Sequence, residues 1–214
     1  MLRVWGRRNS INVQKVLWLV GELGIELEHV PAGGPFGRLD EPEFRALNPF
    51  GKVPAIDDGG VAVWESHAIL RYLAERHGGE RWWPDVAARA RIEPWMDWHQ
   101  TTFQPPFAGG LLWGYFRTPE PQRNWPAIRQ SEANCAALLQ FVDRMLTERP
   151  YLAGDELTLA DIPLGTCLYR YFEMNVRRPD APNVARWYAR LCERDAYRRH
   201  VMQPFEELRG RLAF

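Results

Sequence analysis

The feature that most constrains this chain is a proline, Pro54, at the start of a short apolar strand. It lies in the run Asn-Pro-Phe-Gly-Lys-Val-Pro-Ala-Ile of residues 48–56, which is followed by an Asp-Asp-Gly-Gly turn and a second apolar run, residues 61–64. Because proline cannot donate a hydrogen bond to a sheet ladder, it must lie at a strand's first residue, at an edge or in a special turn. The Val53–Pro54 bond is also a candidate for the cis isomer. That geometry would turn the backbone of Val53 outward, where it could pair with an extended peptide.

Glu65 and Ser66 follow this hairpin directly and begin an amphipathic helix. The first N–H groups of a helix have no partner within the helix, and Ser66 adds a hydroxyl, so this position suits a carboxylate. A peptide-pairing backbone beside a carboxylate site predicts a pocket for a small, acidic, peptide-like thiol.

The apolar pattern of the N-terminal third predicts a mixed α/β unit. Strands at residues 2–5 and 27–30 flank a helix that starts near Ile11 and stops at Gly24. The hairpin of residues 53–56 and 61–64 and a helix over residues 66–77 follow. The order is therefore β-α-β and then β-β-α.

Beyond a linker at residues 78–85, the periodic segments are all helical. A proline inside a helix costs roughly 3 kcal/mol, so Pro94 is expected to kink or restart the first of these helices. Thr158 and Asp161 have the spacing of a capping box, which is a folding signal and not a catalytic one. Further helices are expected near residues 126–148, 159–175, 182–195 and 196–208. The predicted domains are residues 1–77 and residues 86–214.

Composition excludes several classes of function. The chain has 214 residues with 27 acidic and 27 basic side chains, and it lacks the long basic run that a nucleic-acid partner would require. No apolar run approaches the roughly 18 residues needed to span a membrane. Three widely spaced cysteines suit a reducing cytosol better than a disulfide framework. The five histidines show no metal-ligand spacing, so we expect no metal site. With the cysteine pattern and the lack of a spanning segment, we expect a cytoplasmic protein.

Taken in order, these motifs resemble the glutathione S-transferase superfamily. The resemblance rests on residues 2–18, on the Val53-Pro54 hairpin with Glu65-Ser66, and on residues 157–162. It implies a thioredoxin-like α/β N-terminal domain, an all-α helical-bundle C-terminal domain and a homodimer. It also implies glutathione as a co-substrate, which brings its own thiol and is conjugated, in detoxification, to a small hydrophobic electrophile.

The resemblance also implies which residues bind glutathione. Lys52 would contact the glycyl carboxylate, while Val53 and Pro54 would supply the backbone pairing to the cysteinyl unit. Glu65 and Ser66 would bind the γ-glutamyl amine and carboxylate.

The resemblance implies that Ser10 or Asn12, at the start of the first helix, activates the thiol. A hydrogen-bond donor beside a thiol favours its ionised form, and a hydroxyl or an amide can serve. Each side chain could instead only cap the helix. No cysteine lies near this turn, which excludes a protein thiol as the nucleophile there.

A second pocket, for the electrophile, is the least determined part of the site. Its candidate residues are aromatic or imidazole side chains, although such a stripe is more often core: Trp98, His99, Phe103, Phe107 and Trp113. Two alternative functions remain open, a glutathione-dependent disulfide or peroxide reductase and a non-catalytic interaction protein of the same fold.

Overall fold

The computed structural model describes residues 1–213, and the chain divides into two compact units. The first unit comprises Met1–Val86 and Asp195–Gln203, and the second comprises Ala87–Arg194 and Pro204–Ala213. Residues 195–203 therefore belong to the first unit although they follow the helical region in sequence. Phe214, the end of the predicted second domain, lies outside the described residues. The predicted boundaries at residues 77 and 86 stay a prediction.

The first unit is built on a four-stranded mixed sheet. Its strands, in the spatial order β2-β1-β3-β4, are β1 (Leu2–Trp5), β2 (Leu27–Val30), β3 (Ala55–Asp58) and β4 (Val61–Trp64). Strands β1 and β2 are parallel and are joined by helix α1 (Ile11–Leu23), whereas β3 pairs antiparallel with both β1 and β4. This arrangement confirms the predicted thioredoxin-like order. Strand β3 begins two residues later than predicted, so Val53 and Pro54 precede it.

Four further helices belong to the first unit: α2 (Pro42–Leu47), α3 (Ser66–His77), α4 (Gly79–Trp82) and α9 (Asp195–His200). Both α3 and α9 pack on α1. Gly21 makes the second contact possible, because a Cβ atom there would lie 2.9 Å from the Cβ of Ala196. Trp18 and Tyr197 add an edge-to-face ring pair at 4.8 Å. Helix α9 ends at His200, well short of the predicted residue 208.

The second unit is helical, as predicted. Its helices are α5 (Val86–Trp98, of which Val86 belongs to the first unit), α6 (Trp125–Met145), α7 (Asp161–Glu173) and α8 (Pro182–Cys192). Helix α5 runs through Pro94 without restarting there. Asp161 is buried at the start of α7, where its carboxylate accepts hydrogen bonds from the Leu152 and Thr158 N–H groups, both at 2.9 Å. Burial raises the pKa of Asp161 to about 6. These contacts give Asp161 the structural role that the capping-box spacing predicted.

A π-helical segment, His99–Phe103 and Pro105–Arg117, continues from α5. Its buried side chains include His99, Phe103, Phe107, Leu111 and Phe116. They recur every four or five residues, a wider spacing than the 3.6 residues of an α-helix. The wider turns of a π-helix, with hydrogen bonds from residue i to i+5, bring these positions onto one face. The sequence predicted the stripe but not the wider turn.

Two adjacent glycines in the π-helical segment predict opposite responses to substitution. A Cβ atom at Gly110 would overlap the Ser131 side chain of α6, whereas a Cβ at Gly109 would meet no atom within 4 Å. We expect Gly110→Ala to lower the free energy of unfolding by about 1–3 kcal/mol through overpacking. The control, Gly109→Ala, should leave it unchanged or raise it by roughly 0.5–1 kcal/mol. Urea unfolding measures both, and equal effects would contradict the close approach at Gly110.

Candidate functional site

Ser10 occupies the N-cap position of α1, with an extended backbone (φ −87°, ψ 124°). Its carbonyl accepts a hydrogen bond from the Gln14 N–H at 2.9 Å, and its own N–H donates to the Arg7 carbonyl at 3.0 Å. The side chain makes no capping hydrogen bond. The backbone of Ser10 therefore starts the helix while its half-buried hydroxyl stays available.

Asn12 lies in the first turn of α1, two residues beyond Ser10, and is also half-buried. The amide of Asn12 does not cap the helix either, because Ser10 occupies the N-cap position. The structure places both candidate donors in one turn.

The Val53–Pro54 peptide bond is cis, as the sequence predicted. Pro54 is buried and Val53 is half-buried, directly before β3. Among residues 1–213, neither the N–H nor the carbonyl of Val53 has a hydrogen-bond partner. This backbone is thus free to pair with an extended peptide.

The loop before Val53 is organised by Asn48, which the sequence interpretation missed. Asn48 is 2% exposed. Its amide donates to the carbonyl of Lys52 at 2.6 Å, and its side-chain oxygen accepts from the Phe50 N–H at 2.9 Å. The signal was present, since asparagine before proline is a turn former whose side chain bonds its own backbone. Lys52 itself is exposed.

Glu65 adopts a backbone conformation that few non-glycine residues accept, with φ 68° and ψ 118°. Such a conformation costs roughly 1–3 kcal/mol and is concentrated at functional sites. Its carbonyl accepts from the Ile69 N–H at 2.9 Å, so the strain is held by the first turn of α3. Ser66, only 4% exposed, is the first residue of that helix.

Behind these residues, Lys15 of α1 contacts His67 of α3. The Lys15 Nζ lies within hydrogen-bond distance of the His67 Nε2, at 3.2 Å, and both side chains are buried. Burial and, to a smaller extent, the positive charges of Lys15 and Arg71 together lower the pKa of His67 to about 2. The sequence pattern missed Lys15 because a lysine on an amphipathic helix normally lies on its exposed face, but α1 is covered by both α3 and α9.

The predicted electrophile-pocket residues all lie in the second unit. His99, Phe103 and Phe107 are at most 1% exposed, Trp98 is half-buried and Trp113 is 40% exposed. Phe103 stacks on Phe107 at 5.6 Å, and the His99 Nε2 lies 3.3 Å from the Cys167 Sγ. Three of the five thus pack within the core of their own unit. Their assignment to a pocket stays a prediction.

Within residues 1–213, no group of three or more histidine, cysteine, aspartate or glutamate side chains could hold a metal ion. In the same part of the chain, no helix is long and apolar enough to cross a membrane.

The low pKa of His67 predicts how stability depends on pH. Below pH 6.5, the ordinary pKa of histidine, His67 is protonated in the unfolded chain but stays neutral in the folded one. The free energy of unfolding therefore falls as the pH falls from 6.5 towards 2. This amounts to about 2 kcal/mol between pH 7 and pH 5. We expect His67→Gln to remove that part of the acid sensitivity, as measured by urea unfolding at both pH values. An unchanged pH dependence would show that His67 titrates normally in the fold.

Comparison with known proteins identifies the family of this chain. Residues 1–75 match the family model for the glutathione S-transferase N-terminal domain, and residues 95–195 match the model for the C-terminal domain. Glutathione S-transferase GstB of Escherichia coli is 40% identical over 95% of this chain and 99% of its own length. Glutathione S-transferase F9 of Arabidopsis thaliana is 30% identical over 94% and 96%.

A solved structure is also closely similar. The theta class glutathione S-transferase of Xanthomonas axonopodis pv. citri, with glutathione bound, has a TM-score of 0.90 and 43% identity, covering 95% of this chain and 98% of its own. The family predicted from the sequence is confirmed: this chain belongs to the glutathione S-transferase family.

Proposed function

We propose that this protein is an enzyme that conjugates glutathione to small hydrophobic electrophiles, with glutathione as its co-substrate. Relatives named glutathione S-transferases, at 40% identity over nearly the full length, support the activity. The observation that carries the proposal is that the groups needed to bind a tripeptide are free. The Val53 backbone has no partner within residues 1–213, and the Ser10 hydroxyl caps nothing.

Each part of glutathione has a matching group in the proposed site. The cysteinyl backbone would pair with Val53, whose outward amide and carbonyl resemble an unpaired strand edge. The γ-glutamyl carboxylate would be bound by Ser66 and the first N–H groups of α3, and the γ-glutamyl amine by the Glu65 carboxylate. The exposed Lys52 would contact the glycyl carboxylate.

The thiolate would be stabilised by a donor in the first turn of α1. A free thiol ionises near pH 8.5, and a hydrogen bond to its charged form lowers that pKa. We favour Ser10, because its hydroxyl lies at the helix N-terminus and is not used as a cap. Asn12 remains the alternative donor, because its amide is equally uncommitted. With Asn12 as the donor, the function would be that of a glutathione-dependent disulfide or peroxide reductase.

The proposed partner of the first unit is a second copy of this chain. Strand β4 is an edge strand whose Val61 and Trp64 are 48% and 40% exposed, and Phe50, in the loop before β3, is 64% exposed. An exposed apolar edge strand is usually covered by a partner.

A reducing cytosol remains the proposed location, supported by three free cysteines among the described residues.

Binding of glutathione is the first test. Wild-type protein should be retained on immobilised glutathione and eluted by the free tripeptide. Ser66→Ala should weaken binding by roughly 1–3 kcal/mol, because the carboxylate loses a hydrogen bond in a buried place. Ser131→Ala, which removes a hydroxyl from α6, is the matched control and should bind as the wild type does. Retention without any conjugation or reduction would favour the non-catalytic alternative.

The choice between Ser10 and Asn12 is tested by titrating bound glutathione and following thiolate absorbance. If Ser10 is the donor, Ser10→Ala should raise the pKa of the bound thiol with little change in affinity, because the thiolate loses its hydrogen bond. Ser10→Thr should restore the low pKa, and Asn12→Ala should leave it unchanged. The reverse pattern, with disulfide reduction exceeding conjugation, would instead assign the role to Asn12.

The oligomeric state is tested by sedimentation equilibrium. Wild-type protein should have the mass of a dimer, and Trp64→Lys should shift the equilibrium towards the monomer by placing a charge in the apolar contact. Arg81→Lys keeps its charge outside β4 and serves as the control. A monomeric wild type at micromolar concentration would overturn the dimer.

A further inference from the structure

The peptide bond between Lys52 and Val53 carries two polar groups with different surroundings. Its carbonyl, that of Lys52, accepts a hydrogen bond from the side-chain amide of Asn48 at 2.6 Å. Its N–H, that of Val53, has no hydrogen-bond partner within residues 1–213. Asn48 is 2% exposed, so the carbonyl is directed towards a buried side chain. One end of this peptide bond is therefore held inside the protein, and the other end is available.

The planarity of the peptide bond makes the directions of these two groups depend on each other. The bond is trans, because the cis bond among residues 1–213 is the next one, Val53–Pro54. In a trans peptide the C=O and the N–H lie in one plane and point in opposite directions. Holding the Lys52 carbonyl at Asn48 therefore directs the Val53 N–H away from Asn48. A side chain that does not touch the ligand can in this way aim a backbone donor.

The hydrogen bonds of Asn48 allow its amide one orientation. The Phe50 N–H, 2.9 Å from one end of the amide, can only donate, and the Lys52 carbonyl at the other end can only accept. The amide nitrogen must therefore face Lys52. The backbone of Asn48 is also bonded, because its N–H donates to the Phe44 carbonyl at 2.9 Å and its carbonyl accepts from the Gly51 N–H at 3.0 Å. These four hydrogen bonds hold Asn48 in place before any ligand binds.

The side chain of Val53 is held as well. It packs against a buried cluster in the first unit: Trp5, Val30, Ala32, Phe44 and Ala55. Both the side chain of Val53 and the carbonyl that precedes it are thus attached to the interior. An N–H group whose direction is already set binds an acceptor with little further loss of entropy.

We propose that Asn48 is a positioning residue that aims the Val53 N–H at the cysteinyl carbonyl of glutathione. This inference rests on the proposed function, in which the cysteinyl backbone pairs with Val53. The Val53 N–H can only donate, and the cysteinyl unit offers its carbonyl as the acceptor. Asn48 itself does not touch the ligand, and its effect passes through the Lys52–Val53 peptide bond.

Two substitutions of Asn48 remove its hydrogen bond to the Lys52 carbonyl. The ionised carboxylate of Asn48→Asp still accepts from the Phe50 N–H but cannot donate, and Asn48→Ala removes both hydrogen bonds without adding a charge. We expect each variant to bind S-methylglutathione about five-fold more weakly, the size of one hydrogen bond. Calorimetry at pH 8 measures the affinities, and urea unfolding measures the stability of each variant.

The matched control is Tyr72→Phe. Tyr72 belongs to the same unit, on α3, and its hydroxyl donates to the Asp58 Oδ2 at 3.1 Å. The variant loses one hydrogen bond outside residues 48–53, so its affinity for S-methylglutathione should stay within about two-fold of the wild type. A loss of affinity as large as that of the Asn48 variants would show a general effect of stability and would count against the proposal.

A modified ligand separates positioning from damage to the loop. In an analogue of S-methylglutathione, a trans carbon–carbon double bond replaces the amide between the cysteinyl and glycyl units, which keeps the shape and removes the cysteinyl carbonyl. The wild type should bind this analogue about five-fold more weakly than S-methylglutathione. The Asn48 variants should bind the analogue as well as the wild type does. Equal losses of affinity for both ligands would show that Asn48 only supports the loop and would overturn the proposal.

The remaining outcomes also decide. Wild-type affinity for S-methylglutathione in both Asn48 variants would overturn the proposal, and so would a wild type that binds the two ligands equally well. Failure of the wild type to bind S-methylglutathione would instead contradict the proposed function itself.

Discussion

The burial of helix α1 is the constraint on which the first unit depends. Every residue from 13 to 20 is buried, because the helix follows β1 in the parallel β1-α1-β2 unit and is covered by α3 and α9. Close approach of α9 requires Gly21, where any side chain would meet Ala196 and His200. A helix enclosed in this way has few ways to move. Its first turn carries Ser10 and Asn12 at the edge of this enclosed region, and its interior encloses the side chain of Lys15.

The second unit is packed around a π-helical segment. Its π-helical segment carries rings and aliphatic side chains that recur every four or five residues, and the wider turn gathers them onto one buried face. Gly110 lets this segment approach α6 at Ser131. Such segments are rare and are frequently associated with function. Here the same turns place Trp113 outward, where the Arg117 guanidinium lies 3.7 Å from its ring centroid, while Phe103 and Phe107 face the core.

The proposed glutathione site is assembled from backbone more than from side chains. The open amide and carbonyl of Val53 and the N–H groups that begin α3 would supply the backbone part of the recognition. Asn48 fixes the loop before them by two hydrogen bonds. Backbone groups suit this task because their direction is set by the fold and costs little further entropy on binding. The side chains of Ser10, Lys52, Glu65 and Ser66 would then add charge complementarity and the thiolate donor.

The sequence alone was enough to identify the family by resemblance and to predict the two-part architecture and the cis bond before Pro54, and the residues proposed to bind glutathione follow from the same resemblance. The strands, the helix starts and the position of Pro54 could be predicted because they depend on local chemistry: proline lacks a donor, helix starts need caps, and apolar periodicity reflects one buried face. Only the tertiary structure decided that Lys15 is buried, that α9 returns to the first unit and that His99, Phe103 and Phe107 are core. The burial of these residues and the position of α9 depend on which other helices or strands pack against each element. The hydrophobic periodicity within an element does not show which elements will pack against it. The wider π turns and the positive φ of Glu65 also could not be predicted from the sequence, because packing imposes both conformations on residues that do not favour them locally.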